Sequence, residues 1–364
     1  IFELRTPGNP AIMYACTDKF HWSTDGGNTF IAIDIGLPPD DQVNRMSIAV
    51  TPADGQMVYV LCGREDDAGF QGLYRSINGG ATFSQRSTTP NIFGYQSDGS
   101  DDGGQSWYDI ALAADPANAN NIYAAGINVW KSINGGTSWV IQSHWTHPSG
   151  IGYTHADIHA LEVLNGDIYC GSDGGLFVST NDGGDWTDLS PGLDISQFYR
   201  FGGSELNTDM VIGGTQDNGT NLLDGGIWTH VIGADGMEAA VDPTDALILY
   251  GSSQNGSIYR STNGGADWGN ISNDITEEGL WVTPFVIDPN DEHTLYAGYN
   301  NVWKSTDRGD NWASISNFGV SQKISAITVA PSNSNYIYIV RGEVLRRSST
   351  GGTPWTTINA GLPA

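Results

Sequence analysis

The chain has 364 residues, with 41 Asp and Glu against 15 Lys and Arg, for a formal net charge of −26. Its four Lys form no basic stripe, so the clustered cations that phosphate binding needs are missing, which weighs against nucleic acid as a partner. No apolar run reaches the ~20 residues of a membrane-spanning helix, and the acidity suits solubility or a cationic or divalent partner.

From the N-terminus, the run IFELRTP leads to Pro7, and seven residues later Tyr14 sits in a second apolar run, MYACT. A third run ends in STDGGNTF (23–30), where Asp-Gly-Gly reads as a turn. Both features recur. The frame Ser-x-(Asp/Asn)-Gly-Gly-x-x-aromatic returns as SINGGATF (76–83), SINGGTSW (132–139) and STNGGADW (261–268). Looser copies are STNDGGDW (179–186), STDRGDNW (305–312) and SSTGGTPW (348–355), with a worn one in NLLDGGIW (221–228). Pro and Tyr repeat their spacing at Pro52/Tyr59, Pro116/Tyr123, Pro243/Tyr250, Pro289/Tyr296 and Pro331/Tyr338. Each Pro ends one apolar run and each Tyr lies in the next, so Pro marks a turn between strands. Successive copies of the frame start 40 to 56 residues apart, a spacing that signals a propeller or another array.

Each unit thus reads strand, Pro-turn, strand, Gly/Asn-turn, strand, Asp-Gly-Gly turn, strand. Eight such units with no amphipathic helix predict an all-β fold, a β-propeller of four-stranded antiparallel blades over residues 1–364. A seven-bladed ring with one unit outside it is the alternative. In the frame, the Asp or Asn is expected to bond backbone N–H groups two residues on, and the Gly pair to supply positive φ. The aromatic is expected to wedge between neighbouring blades. SDDGGQSW (100–107) also fits the frame but starts only 24 residues after the previous copy, so it reads as a loop with a chance match. Cys16, Cys62 and Cys170 fall in second-strand runs, and their odd number predicts buried thiols.

The frame is that of the Asp-box (BNR) repeat, and the chain resembles Asp-box propellers, a group that includes sialidases, sortilin-type receptors and two-propeller xyloglucan hydrolases. Within that resemblance it is similar to large secreted proteins of Bacteroidetes-type bacteria described as sortilin-like or glycosyl hydrolase repeat proteins. The segments that carry this are GGQSWYDIALAADP, YTHADIHALEV, GSDGGLFVST, QFYR, GGTQDNGT, GADGME and WVTPFVIDP. The resemblance implies an extracellular or cell-surface place, a polysaccharide or protein partner, and other domains in a longer exported parent.

Strand polarity puts the Asp-box turns and Pro-turns on one face. The second-to-third turns and the blade-to-blade loops then share the opposite face, where loops on a rigid scaffold carry function. That face collects the candidates. HADIH opens the first strand of the fourth unit, and alternation would point His155, Asp157 and His159 together. The two His would stand roughly 13 Å apart, too far for one metal to take both. SDGG offers Asp173, TQDNGT offers Gln216, Asp217 and Asn218, and GADGM offers Asp235. The aromatics Phe93, Tyr95, Trp107, Trp145, Tyr153 and Trp281 flank these groups and would suit sugar rings or a peptide. His155, Asp157, Gln216, Asp217 and Asp235 are expected at one rim. Calcium would be held there by Asp157 and Asp217 if oxygen ligands predominate.

Two functions fit. A non-catalytic module would bind carbohydrate or protein on the loop face. A glycoside hydrolase would need two carboxylates about 5 to 9.5 Å apart, drawn from Asp157, Asp173, Asp217 and Asp235. The catalytic-aspartate motifs of the xyloglucan hydrolases find no match. Arg75 and Arg260 occupy the slot that Lys131 and Lys304 fill elsewhere, which argues against a sialidase arginine triad. The binding module is therefore the expectation.

Overall fold

The structure, a computed structural model, describes residues 2–5, 9, 11–193 and 195–360. Its regular elements are 32 strands and two short 3-10 turns, and the strands form eight four-stranded antiparallel sheets. Each sheet takes four consecutive strands in chain order, so the fold is an all-β β-propeller class with eight blades. No helix among the described residues is long and apolar enough to cross a membrane.

The chain divides into two compact units, residues 1–194 and 195–364. In the first unit, the blades open with Phe2–Arg5, Val43–Val50, Ala111–Ala114 and Ile158–Leu164. In the second, they open with Phe198–Gly203, Gly236–Val241, Phe285–Asp288 and Ile324–Val329. These eight sheets are called blades 1 to 8. Pro7 lies outside the described residues; the other five repeating Pro residues each sit between the first and second strands of a blade.

The second strands build the core. Tyr14, Tyr59, Tyr123, Tyr250 and Tyr296 are fully buried, and several use the hydroxyl to grip the next blade. Tyr14 Oη donates to Gly79 O at 2.8 Å, Tyr59 Oη to Ala119 O at 2.8 Å, and Tyr123 Oη to Asp182 Oδ1 at 2.5 Å. In these three blades the Tyr seven residues after Pro is a buried ring with a satisfied hydroxyl, as a buried Tyr usually requires. The three cysteines are free and buried, and burial pushes the Cys16 thiol up to about 12.

The frame turns join third to fourth strands, but the serine does part of the work expected of the acidic residue. Ser23 Oγ accepts from the backbone N–H of Asp25 at 3.4 Å and of Gly27 at 2.9 Å, and it donates to Asp25 Oδ1 at 2.8 Å. Asp25 Oδ1 instead accepts from Thr29 N at 2.9 Å, four residues on rather than two. The same Ser-to-Gly bond recurs at Ser76, Ser132, Ser179, Ser261, Ser305 and Ser348. Because the hydroxyl takes the near N–H, the Asp or Asn can span the turn. Bonds from Thr29 and Ser23 hold the Asp25 carboxyl down at about 2.

Glycine is needed here on two counts. Gly136 has φ +83°, and a Cβ on it would lie 1.9 Å from Leu73 Cδ2 of the preceding blade. The following aromatic packs the same way: Trp139 Nε1 donates to Ser87 Oγ and Trp312 Nε1 to Ile271 O, each across to the preceding blade. NLLDGGIW departs from this pattern. Asp224 pairs directly with Ile227 across Gly225 and Gly226, a two-residue hairpin, and Trp228 is exposed. SDDGGQSW lies in the loop between blades 2 and 3, as its short spacing predicts. Arg260 donates to Arg308 O and Asp310, and Lys131 pairs with Asp182, so in these two blades the slot ties the blade to the next frame turn.

Backbone bonds fix which turns share an end of a blade. Gly79 N reaches Gln56 O, Gly135 N reaches Asn120 O and Gly264 N reaches Leu247 O, each joining a frame turn to the Pro-turn of its own blade. The second-to-third turns and the interblade loops occupy the other end, where the candidate residues lie.

Candidate functional site

In the first unit, the loop ahead of blade 3 meets the start of blade 4. His155 and Asp157 precede the strand Ile158–Leu164, and Asp157 has φ +61°, outside the extended range. The strand then carries a register shift between Ile158 and Ala160. Simple alternation from His155 to His159 is therefore broken, which corrects the expectation that the three side chains share a face. His155 Nδ1 donates to Ala156 O at 3.1 Å, and its ring lies so close to Gly174 that a Cβ there would come 2.1 Å from His155 Cγ. This contact is why SDGG carries a glycine after Asp173.

Asp157 and Asp173 form a pair, each with an oxygen within 4.8 Å of the other's. Asp173 N also donates to Asp157 O at 3.2 Å. Their surroundings differ. Asp157 is half-buried and accepts from Gln105 Nε2; burial raises its pKa above the ordinary carboxylate value. Asp173 accepts from His159 Nε2 at 2.8 Å and from the Tyr108 hydroxyl. The Tyr108 and His159 rings meet edge-on at 5.0 Å, and Trp107, two-thirds exposed, lies 5.5 Å from Tyr108. Asp109 behind them is fully buried, and burial pushes its carboxyl up to about 7. Nearby, a cavity of about 460 Å³ runs along the first strands of blades 2, 3 and 4 and is bordered by His159, Arg45 and Glu162.

In the second unit, backbones approach closely to bring two loops together. A Cβ on Gly214 would lie 2.2 Å from Met237 O, and one on Gly236 would lie 2.2 Å from Gly219 O. The glycines of GGTQDNGT and GADGME thus let blades 5 and 6 meet backbone to backbone. At this junction Asp217, with φ +58°, donates its N–H to Asp235 Oδ1 at 2.8 Å, and Gln254 Nε2 reaches Asp235 Oδ2 at 3.3 Å. Asn218 Nδ2 donates to Gln216 O at 3.1 Å, and Gln216 N to Gln197 O at 2.9 Å. Asn218 thus closes its own turn, while Asp217 and Asp235 come together as expected. Trp281 is about half exposed and donates from Nε1 to the Tyr199 hydroxyl at 3.2 Å. Asp157 belongs to the first unit and Asp217 to the second.

Several participants escaped the sequence reading. Gln105 stands in SDDGGQSW, read as a loop with a chance match, and Tyr108 and Asp109 directly follow it in a segment noted for its resemblance alone. Glu238 of GADGME faces Arg200, with Nε and Oε2 3.8 Å apart, and burial pushes it up to about 7. Of the flanking aromatics, Phe93 is wholly buried in the core of blades 2 and 3, so it is not available to a ligand.

No family model matches the chain. A stretch is 30% identical over 86 residues to a "Probable oligoxyloglucan-reducing end-specific xyloglucanase" of Neosartorya fischeri, covering 22% of this chain and 11% of that protein. Another is 31% identical over 145 residues to the xyloglucanase Xgh74A of Acetivibrio thermocellus, covering 34% of this chain and 16% of that protein. The chain thus matches only a small part of the length of these curated relatives. Among solved structures, a GH74 xyloglucanase from Xanthomonas campestris aligns over 100% of this chain and 68% of its own, at 17% identity and a TM-score of 0.40. The relatives matched in sequence are named as xyloglucanases, which overturns the expectation of a non-catalytic binding module and favours the hydrolase alternative.

Proposed function

We propose that the chain is a glycoside hydrolase that cuts a β-glucan of the xyloglucan type, with Asp157 and Asp173 as its carboxylate pair. The observation that carries this reading is the unequal setting of two neighbouring carboxylates. Burial favours the protonated form of Asp157, which suits a general acid, and Tyr108 and His159 orient Asp173. Their nearest oxygens lie within 4.8 Å, at the short limit of the separations with which two carboxyls address one glycosidic bond and nearest the retaining geometry of about 5 Å.

In this reading Asp157 passes a proton to the oxygen of the leaving sugar. As the glycosidic C–O bond breaks, Asp173 faces the anomeric carbon and stabilises the positive charge that develops there; a water then adds to that carbon and gives its proton back to Asp157. Trp107 offers an exposed aromatic face against which a sugar ring can stack. In the second unit, Trp281, Gln216, Asn218, Asp217 and Asp235 are the groups we assign to sugar hydroxyls. The serine-led turns support an Asp-box repeat, and a polysaccharide substrate fits action outside the cytoplasm. The test is to incubate the purified chain with xyloglucan and with unsubstituted cellulose and follow product size by mass spectrometry. Release of xylose-bearing oligosaccharides is the expected result; intact polymer after prolonged incubation at several pH values would remove the proposal.

A further inference from the structure

The hydrogen bonds of residues 105–109 carry a further inference, which rests on the hydrolase reading. Gln105 donates its two amide protons to two different carboxylates: Asp109 Oδ2, at 3.0 Å, and Asp157 Oδ1. Its Oε1 accepts from the Tyr95 hydroxyl at 3.3 Å. A side-chain amide has two donor hydrogens and one acceptor oxygen, so this one is engaged on every side.

The same segment holds the other carboxylate. Tyr108, whose hydroxyl donates to Asp173, is folded back on Gln105, with Tyr108 N 2.8 Å and Asp109 N 3.2 Å from Gln105 O. Arg45 of blade 2 clamps the segment through the carbonyls of Trp107 and Tyr108. Asp109 itself is fully buried, so it cannot touch a substrate; its hydrogen-bonded link to the pair runs through Gln105.

We infer that residues 105–109 are a positioning device for the hydrolase: Gln105, backed by Asp109, fixes Asp157, and Tyr108 fixes Asp173. The separation of the two carboxylates is then set by the loop between blades 2 and 3. Asp157 and Asp173 both belong to blade 4, yet the loop bonds one oxygen of each, while His159 of blade 4 bonds the other oxygen of Asp173.

Gln105→Leu removes both donors, and Gln105→Glu removes them while adding a charge that repels Asp157. Asp109→Asn keeps an oxygen to accept from Gln105. Crystal structures of the whole chain and kinetics on xyloglucan read the outcome. In both Gln105 variants the Asp157 side chain should leave its single position. Their kcat should fall about 10- to 100-fold with KM within about twofold, the signature of misplacement without lost binding. Asp109→Asn, which keeps that acceptor, should disturb the Asp157 position and kcat less than either Gln105 variant. An unmoved Asp157 in either Gln105 variant would overturn the inference, whatever the activity. If Asp157 moves as expected but the parent hydrolyses nothing, the positioning stands and the hydrolase reading falls.

Discussion

His159 Nε2 stands 2.8 Å from Asp173 Oδ1, a bond that joins the first strand of blade 4 to the turn between its second and third strands. The bond aims one oxygen of Asp173, while Tyr108 takes the other. Replacing His159 by Ala should leave Asp173 with a single side-chain donor and lower kcat on xyloglucan about 10-fold or more, with little change in melting temperature. His159→Asn, which can still donate, should recover part of the loss. Equal kcat in all three proteins would show that His159 does not orient Asp173.

Asp109 makes stability depend on pH. Burial pushes its carboxyl up to about 7 from the ordinary 3.8, so the native state holds a proton that the unfolded chain has released. The stability tied to that proton is complete below about pH 4 and is lost as pH rises through about 7. The loss is of order 4 kcal/mol at most, by the usual conversion of a pKa difference. Glu238, also raised to about 7 by burial, acts in the same direction. Melting temperature should therefore fall between about pH 4 and 7 and level off above, and Asp109→Asn should flatten part of that slope. A parallel slope in the variant would mean that Asp109 carries no such proton.

The serine-led turns yield a stability test. Ser76→Ala leaves the buried Gly80 N–H without its acceptor and removes a partner of Asn78. A loss of about 1 to 2 kcal/mol is expected from urea unfolding, comparable to removing a helix cap. Ile77, beside Ser76 in the same turn, is exposed and serves as the control: Ile77→Ala should change stability by less than about 0.5 kcal/mol. Equal effects at the two positions would refute the role given to the serine.

The aromatics of the frame should divide by burial. Trp139 is 8% exposed and bonded to Ser87 of the preceding blade, so Trp139→Ala should cost about 3 to 5 kcal/mol. Trp228, 52% exposed at the two-residue hairpin, should cost under about 1 kcal/mol. Similar losses for both, measured by chemical denaturation, would contradict the wedge.

Much of the fold was legible because it is periodic. The Pro-to-Tyr spacing and the Asp-Gly-Gly frame recur from blade to blade, and each copy reports the same local need: a turn without an N–H donor, or a backbone with positive φ pressed on a neighbour. The candidate site is not periodic and was legible only in part. Asp157, Asp173, Asp217 and Asp235 were found because they stand in short polar motifs at the loop end of the blades. Gln105 and Tyr108 were missed because their partners lie 52 and 65 residues away, across a loop with no repeat to align it. The positive φ of Asp157 was hidden as well, since HADIH reads as an uninterrupted strand when only alternation is considered. The role of the serine was not legible because the Asp or Asn two residues on satisfies the same local rule for capping a turn.

Whether Asp157 and Asp173 cut a glycosidic bond is decided by reducing-sugar release from xyloglucan. The parent chain, Asp157→Asn and Asp173→Asn are compared, with circular dichroism to confirm that all three are folded. We expect measurable release by the parent and a fall of about 100-fold or more in each variant, the scale of a lost acid or charge-stabilising group. Release by both variants at the parent's rate would contradict the assignment of the pair.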